Sequence, residues 1–414
     1  MMGPSSPIRS RQSTTSVKAI VERVVDIPDD VRVARCRRLP EYGPRVLFLS
    51  GGTACRELSS CLKWYTHNSI HLITPFDSGG SSAILRDAFS MLAVGDLRNR
   101  LMALADEELG TPAIARLFSH RLHATDAEVA QAEFASLISG SNSLLLAIDM
   151  PMRSIVTSQL KWFAQRMPAD FELRGASVGN LVIVGVYLQN DCDISTALYL
   201  ISKLVIVRGL VRPTTAANLH LRATLSDGQI VVGQHNLGGV GTHGRRISRL
   251  DLVSTLASVT EASAVIDPVA GQLVSTADLI VYPMGSFFGS VLANLLPRGV
   301  GAAIVGRKCP KVYIPNTGED PEMAGYTLAE CVQAIVDHVR RDAGSAPVSD
   351  IVQYVLIDTA RCAYCVPVDA GAISQLGVRV LDINLASDLD RAGHALARSL
   401  SPERLVEVLI SLGS

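Results

Sequence analysis

Two short apolar runs near the front of the chain each end in a loop of glycine and small hydroxyl residues, and this pairing constrains the fold more than any other feature. Arg45 to Ser50 has the length and bulk of a strand covered on both faces, and Gly51-Gly52-Thr53 follows it directly. From Ala54 to Tyr65 apolar residues recur at helical spacing, so this first loop is expected to open a helix. Ile70 to Thr74 repeats the pattern and delivers Asp77-Ser78-Gly79-Gly80-Ser81-Ser82. Glycine lets the main chain come close to an anion, and the unpaired N–H groups of a first helical turn, with the helix dipole, hold it. Two such loops at the carboxyl edge of one sheet are how a doubly wound α/β fold builds a phosphate site.

The rest of the chain extends this pattern. Leu279 to Pro297 carries no charge and is long enough on paper to span a membrane, but Pro283, Gly285, Ser286, Gly289, Ser290 and Asn294 interrupt it. It reads instead as a strand (Asp278 to Tyr282), a third phosphate-type turn at Gly285-Ser286 and a helix, so no membrane span is expected. Further strands are expected at Ala302 to Val305, Lys311 to Pro315, Tyr354 to Asp358 and Arg379 to Asp382. Helices are expected at Thr327 to Arg340 and Pro402 to Leu412. A helical excursion occupies about 96–175, with Leu144 to Ile148 either strand or helix, and Val178 to Leu188 follows as a buried helix. Leu219 to Leu225 alternates, turns at Ser226-Asp227-Gly228 and returns through Gln229 to Gly233, which predicts a β-hairpin over about 218–234. Strands alternating with helices predict a Rossmann-like α/β fold with a mostly parallel, doubly wound sheet over residues 41–414.

Charge and cysteine usage narrow the partners. The formal net charge is −1 over 414 residues and the sequence pI is near 6.8, so there is no general basic field and nucleic acid is not an expected partner. Any anion must be held locally. Eight cysteines are scattered without a paired framework, as a reducing cytosol permits, and a cytoplasmic location is expected. Cys362 and Cys365 form the one close pair, which reads as two buried thiols for want of a second pair or a nearby histidine. Residues 1–40 are rich in Ser and Arg with no apolar segment of a secretory signal, and are read as a partly disordered basic extension. A homo-oligomer and a monomer are both open.

Several constellations carry chemistry with unequal force. Asp77, at a strand's carboxyl end among small residues, is placed to bind Mg²⁺ beside a diphosphate, to accept from a ligand hydroxyl, or simply to close an Asx-turn. Asp96, Arg98 and Asn99 stand at a helix start, where Asp96 is a good N-cap and Arg98 a phosphate clamp. Gly175-Ala176-Ser177-Val178-Gly179 satisfies the G-x-S-x-G of serine hydrolases, but Asp170 to Arg174 is too charged to be the strand such an elbow needs, and Asp358, Asp382 and His394 are only nominal partners. Gly239 to Gly244 matches G-x-G-x-x-G, yet the nearest expected strand ends at Gly233, so a flexible loop is the better reading. No P-loop occurs. His120 and His123 are spaced as two ligands on one helix face, without a carboxylate-rich partner segment, and are read as surface residues.

Taken in order, Ser50-Gly51-Gly52-Thr53, Asp77 to Ser82, Gly95 to Asn99, Ser177 to Leu181, Arg208 to Thr214 and Met284-Gly285-Ser286 followed by Asn294-Leu295-Leu296 resemble the CofD/YvcK family over about Arg45 to Tyr326. The second loop further resembles the CofD-like proteins of the bacterial GAK system. The resemblance implies a nucleotide diphosphate ester or nucleotide sugar as ligand. One branch of the family transfers 2-phospho-L-lactate from a guanosine diphosphate ester to a deazaflavin with Mg²⁺; the other binds UDP-sugars as a regulator, and the motifs here are nearer the second. By resemblance, Gly51, Gly52, Thr53, Gly79, Gly80, Ser81 and Ser82 cradle phosphate together with Ser78 and Asp96. Asp77 is the metal ligand and catalytic residue, Arg98 and Asn99 add donors, Asn180 faces the cleft, and Gly285 and Ser286 close its far side. Two departures stand out: Ser78 replaces the second of the family's paired aspartates, removing one potential metal ligand, and Ala54 replaces the glycine ending the first loop.

Overall fold

The computed structural model describes residues 24–110, 112–239, 245–258, 260–387 and 399–413. Eleven strands run along these residues: β1 (Val46–Ser50), β2 (Ile70–Ile73), β3 (Leu210–Pro213), β4 (His220–Leu225), β5 (Ile230–Val232), β6 (Ile247–Val253), β7 (Glu261–Ala262), β8 (Leu279–Tyr282), β9 (Lys311–Tyr313), β10 (Tyr354–Ile357) and β11 (Arg379–Asp382). Seven form an all-parallel sheet in the order β11-β10-β9-β8-β1-β2-β3, and four form an antiparallel sheet in the order β5-β4-β6-β7. The expected Rossmann-like α/β architecture is present.

β1 sits at the centre and is buried throughout, with Leu47 opposite Ile70 of β2 on one side and Ile280 of β8 on the other. Alternation sends Leu47 and Leu49 into the core beneath the antiparallel sheet and the helix Leu328–Ala343, while Val46 and Phe48 face the helices Arg56–Leu62 and Pro402–Leu412. The chain leaves β1 toward β2 on one side and returns to β8 on the other, so the sheet switches direction between β1 and β8. Ligands of open α/β sheets bind at such a point, outside the carboxyl ends of the strands.

The helical excursion fills the chain between β2 and β3 and reaches Leu204, well past residue 175. Val178–Gln189 is its central helix, buried from Val178 to Val186, and Ser143–Leu146 is helical rather than extended. The hairpin of β4 and β5 is present as expected, but it belongs to a larger sheet. β6 carries Arg249 and Asp251, and these pair with each other at 2.7 Å and, through Asp251, with Arg222 of β4 at 3.2 Å, so charge inside the strand is matched across it.

One expectation is corrected. Ala302 to Val305 is not a strand; it lies in the helix Val300–Gly306, which starts behind Gly299 in a left-handed conformation (φ 97°). Asp342 accepts from the Gly299 and Ala302 amides at 2.7 and 3.1 Å, and Gly301 lies so close to the Val339 carbonyl that a Cβ would stand 2.4 Å from it. Four apolar residues carry no periodicity, and tertiary packing chose the helix. Within the basic extension, Asp30–Arg38 is a helix capped by Asp29, whose amide donates to Ser411 at 2.8 Å. Residues 1–23 lie outside the described residues. Among the described residues no helix is long and apolar enough to cross a membrane.

Candidate functional site

A cavity of about 340 Å³ opens at the switch point and is lined by Gly51, Gly52, Thr53, Ala54, Cys55, Asp77, Asp96, Gln234, Met284, Gly285, Ser286 and Ser290. The loops after β1, β2 and β8 therefore meet at one rim. A larger hollow of about 520 Å³ lies at the opposite rim around Arg45, Asn68 and Leu210, where the strands begin; no glycine loop of the kind read from the sequence reaches it.

The first loop is held from behind by Arg100, which is fully buried. Its guanidinium donates to the Cys55 carbonyl at 2.6 Å, the Gly51 carbonyl at 3.0 Å and the Ser59 hydroxyl. Asn294 fixes the end of β1 by donating to the Ser50 carbonyl at 3.0 Å, and its Oδ1 accepts from Thr214. The helix that follows, Arg56–Leu62, is short and starts three residues after Thr53, so this loop offers close main-chain approach rather than a helix dipole.

Gly52 is required by its neighbour. A Cβ there would stand 2.0 Å from Asp96 Oδ1 and 3.0 Å from Asp96 Cα, so turning the carboxylate aside does not relieve the clash. Asp96 accepts a hydrogen bond from the Gly52 amide and lines the cavity beside Asp77. Burial, then the Asp77 charge, push its carboxyl up to about 6, against the opposing pull of that amide, Arg100 and Arg98. Gly52→Ala is expected to cost about 1–3 kcal/mol, as overpacking does, and to displace Asp96 from the cavity; thermal melts with and without nucleotide measure both.

The second loop supplies the free helix start. Asp77 Oδ1 accepts from the Gly79 amide at 3.0 Å, closing the Asx-turn, while its carboxylate still lines the cavity. Gly80 takes a left-handed conformation (φ 49°) at the head of the ten-residue helix Gly80–Phe89, and no side chain caps it. Ser82 and Asn180 approach from behind, both near Gly95, and Asn180 donates to Ser81 at 3.3 Å. Asn180 Oδ1 is buried without a hydrogen-bond partner. Buried Arg86 pins the loop by donating to the Asp77 carbonyl at 2.9 Å and to Asn218 at 2.7 Å.

The third loop differs from the phosphate turn read from the sequence. Gly285 has φ 140° and exchanges hydrogen bonds with Asn316, both at 2.7 Å. The Phe287 amide donates to Asp320 at 2.9 Å, and the Phe288 and Gly289 amides donate to Glu322 at 2.8 and 2.7 Å. Two of the protein's own carboxylates thus occupy the start of the helix Phe287–Leu292. Burial, and for Glu322 the Asp320 charge, raise both carboxyls, Glu322 to about 8.

Of the residues expected at the site, Gly51, Gly52, Thr53, Asp77, Asp96, Gly285 and Ser286 line the cavity. Gly79, Gly80, Ser81 and Ser82 follow Asp77 into the helix Gly80–Phe89 without lining the cavity, and Asn180 reaches Ser81 from the helix Val178–Gln189. Arg98 and Asn99 sit behind: Arg98 donates to the Phe118 carbonyl at 2.9 Å and to Asn99 at 2.8 Å, and burial with the nearby Arg121 charge lowers its pKa to about 10. Arg100, Arg86, Asp320 and Glu322 were not singled out from the sequence, because partners of each lie more than thirty residues away, and Asn294 was noted only as part of the third loop's motif.

The competing motifs are used structurally. His120 and His123 both engage Glu133, through the ring at 2.5 Å and the amide at 3.1 Å. No strand precedes Ser177, which opens a buried helix, and Asp358 is spent on the Leu385 and Ala386 amides at 2.9 and 3.2 Å. His394 and residues 240–244 of the G-x-G-x-x-G stretch lie outside the described residues. All eight cysteines are free, and among the described residues no three metal-ligating side chains gather.

Comparison with known proteins places the chain in a family. The family model described as 2-phospho-L-lactate transferase CofD matches residues 46–386. A putative gluconeogenesis factor of Nostoc sp. is 28% identical over 378 residues, covering 89% of this chain and 68% of that protein. The gluconeogenesis factor of Bacillus subtilis is 28% identical over 299 residues, covering 72% of this chain and 75% of that one. A crystal structure of a UPF0052 family member from Bacillus halodurans superposes with a TM-score of 0.64 at 25% identity, covering 89% of this chain and 99% of the other. Loops, strand order and match extend over the same residues, and the chain belongs to the CofD family.

Proposed function

We propose that the switch-point cavity binds the diphosphate of a nucleotide diphosphate ester or nucleotide sugar together with a divalent cation. The observation that carries this reading is the convergence of two carboxylates, Asp77 and Asp96, with the glycine main chain of the first loop and the uncapped helix start at Gly80 around one cavity. Free amides and a helix dipole hold phosphate oxygens. Two carboxylates side by side, one of them lifted toward neutrality, call for a positive charge between them.

Mg²⁺ fits this donor set. It is commonly bound by one or two carboxylates with substrate phosphate and water completing its shell, and no third protein ligand is needed. Asp77 and Asp96 would hold it, and when bound it neutralises phosphate charge. The chain's own residues do the rest: the first loop fixes the diphosphate through main-chain amides, Arg100 keeps that loop in place, and Asn180 stiffens Ser81. If an acceptor is present, its hydroxyl attacks the terminal phosphorus, the bridging P–O bond breaks and nucleoside monophosphate leaves with the hydroxyl proton passing to solvent, a transfer that rests on alignment and charge neutralisation rather than on a nucleophile of the protein.

A regulator that binds a nucleotide sugar without chemistry is the second reading, favoured by the names of the relatives, gluconeogenesis factors. Titration of GDP, UDP and UDP-N-acetylglucosamine by calorimetry, with and without Mg²⁺, tests the binding. Mg²⁺-dependent binding of at least one of them is the expected outcome, and absence of binding by all three overturns it. A preference above about tenfold, or 1.4 kcal/mol, for one base assigns the branch. Single-turnover assays with guanosine diphosphate esters and acceptors then separate transferase from regulator.

A further inference from the structure

We propose that His235, clipped to Ser78 at the mouth of the cavity, recognises the group esterified to the terminal phosphate, donating a hydrogen bond to a hydroxyl or carboxylate oxygen of that group. The inference rests on the diphosphate reading above and adds the part of the ligand that lies beyond the diphosphate.

His235 belongs to the short helix Gln234–Leu237 that follows β5. Two contacts pin this helix across the cavity mouth. Gln234 lines the cavity and donates to the Gly289 carbonyl of the third loop at 3.2 Å, and the His235 ring meets the Ser78 hydroxyl of the second loop with Nδ1 at 2.8 Å. The approach is built into the backbone. Gly233 has φ 93°, and a Cβ there would stand 2.9 Å from His235 Cε1 and 3.1 Å from Ser78 Oγ, so a larger residue would push the ring off the serine.

The hydrogen-bond pattern accommodates the tautomer with the ring hydrogen on Nε2. The Ser78 hydroxyl, buried with its residue, accepts from the His235 amide at 3.5 Å. In the proposed arrangement its own hydrogen goes to His235 Nδ1, which takes the acceptor role and leaves the ring hydrogen on Nε2. A ring N–H donor is thereby presented at an exposed rim. Its place relative to the phosphate cradle is fixed by Gly79: the point where a Cβ of Gly79 would stand is 3.4 Å from His235 Cβ and 3.5 Å from Asp77 Oδ1. A terminal phosphate seated at the uncapped Gly80 helix start carries its substituent out past this same rim, within reach of Nε2.

Calorimetry compares UDP with UDP-N-acetylglucosamine and GDP with GDP-mannose, each with Mg²⁺, on the full chain and on His235→Ala, His235→Gln and Ser78→Ala. For the preferred pair, His235→Ala is expected to weaken the substituted nucleotide about tenfold while leaving the bare diphosphate within about twofold, the scale of one hydrogen bond. His235→Gln, whose amide nitrogen reaches the place of Nε2, is expected to recover most of the loss, and Ser78→Ala to fall between. Equal loss for bare and substituted ligands, or no rescue by glutamine, marks a merely structural contact and overturns the proposal. So does a full chain that binds bare and substituted nucleotides alike. Failure of every probe to bind the unmodified protein instead sinks the diphosphate reading and this inference with it.

Discussion

Replacing Arg100 by methionine is expected to lower the free energy of unfolding by about 2–4 kcal/mol, because its buried guanidinium ties the first loop to the following helix and is the side chain that reaches the Gly51 carbonyl. The residue is fully buried, and it satisfies the carbonyls of Cys55 and Gly51 as well as the hydroxyls of Ser59 and Ser50. Methionine fills the space, so little of the loss comes from a cavity; it comes from the Gly51 carbonyl left without this donor, worth about 1–3 kcal/mol, and from the lost bond to Cys55, whose carbonyl keeps the Ser59 amide and hydroxyl. The same exchange at Arg174, whose partner Glu172 shares an exposed surface pair, is the control. It is expected to change stability by under about 1 kcal/mol. Urea unfolding measures both, and an Arg100 variant as stable as the Arg174 variant would show that the loop holds itself. Because Gly51 and Cys55 both belong to the cavity wall, the Arg100 variant is also expected to lose nucleotide binding at temperatures where it remains folded.

What the sequence disclosed about this site and what it hid follow from the range of the interactions. β1, β2 and β8 were legible because each is a continuous apolar run ending in small residues, a local pattern. β3 was not read as a strand: Leu210–Pro213 is four residues long, ends in proline and sits at the sheet edge, where proline removes no inner ladder bond. β6 was hidden by Arg249 and Asp251, whose charges are matched only by residues of other strands. The same distinction runs through the site. Asp77 and the glycines announce themselves through the strand that precedes them, whereas the partnership of Asp96 with Gly52 spans forty-odd residues and exists only once the helix Gly95–Ala103 has folded back against the first loop. Ser78 seemed to leave Asp77 a lone carboxylate; the fold supplies Asp96 as its companion. The third loop misled in the other direction, since its small residues look like a phosphate turn but its amides are claimed by Asp320 and Glu322, which arrive from more than thirty residues downstream.

Asp96→Asn is expected to make the protein more stable at neutral pH and to weaken Mg²⁺-dependent nucleotide binding by about a hundredfold or more, equivalent to about 2.7 kcal/mol. The two effects share one cause. Burial and Asp77 raise the Asp96 carboxyl from 3.8 to about 6 in the folded protein. Between these values the folded state holds a proton that the unfolded chain has released, so the stabilisation is complete below about pH 4 and is lost as pH rises through 6. Above pH 7 the buried carboxylate then costs on the order of 3 kcal/mol in the free protein. Asparagine keeps an oxygen for the Gly52 amide and removes the charge, so the decline in stability between pH 4 and 7 should flatten in the variant. A cation held between Asp77 and Asp96 offsets the same penalty in the native protein. Nucleotide with Mg²⁺ is therefore expected to raise the melting temperature far more at pH 7.5 than at pH 5, with affinity climbing about tenfold per unit below pH 6 and levelling above 7. Melting curves and calorimetry across pH 4.5–8 separate these outcomes. A variant that binds nucleotide as tightly as the native chain, or a native affinity that does not respond to pH in this window, would mean that the second carboxylate serves the fold and that the cation, if any, is held elsewhere.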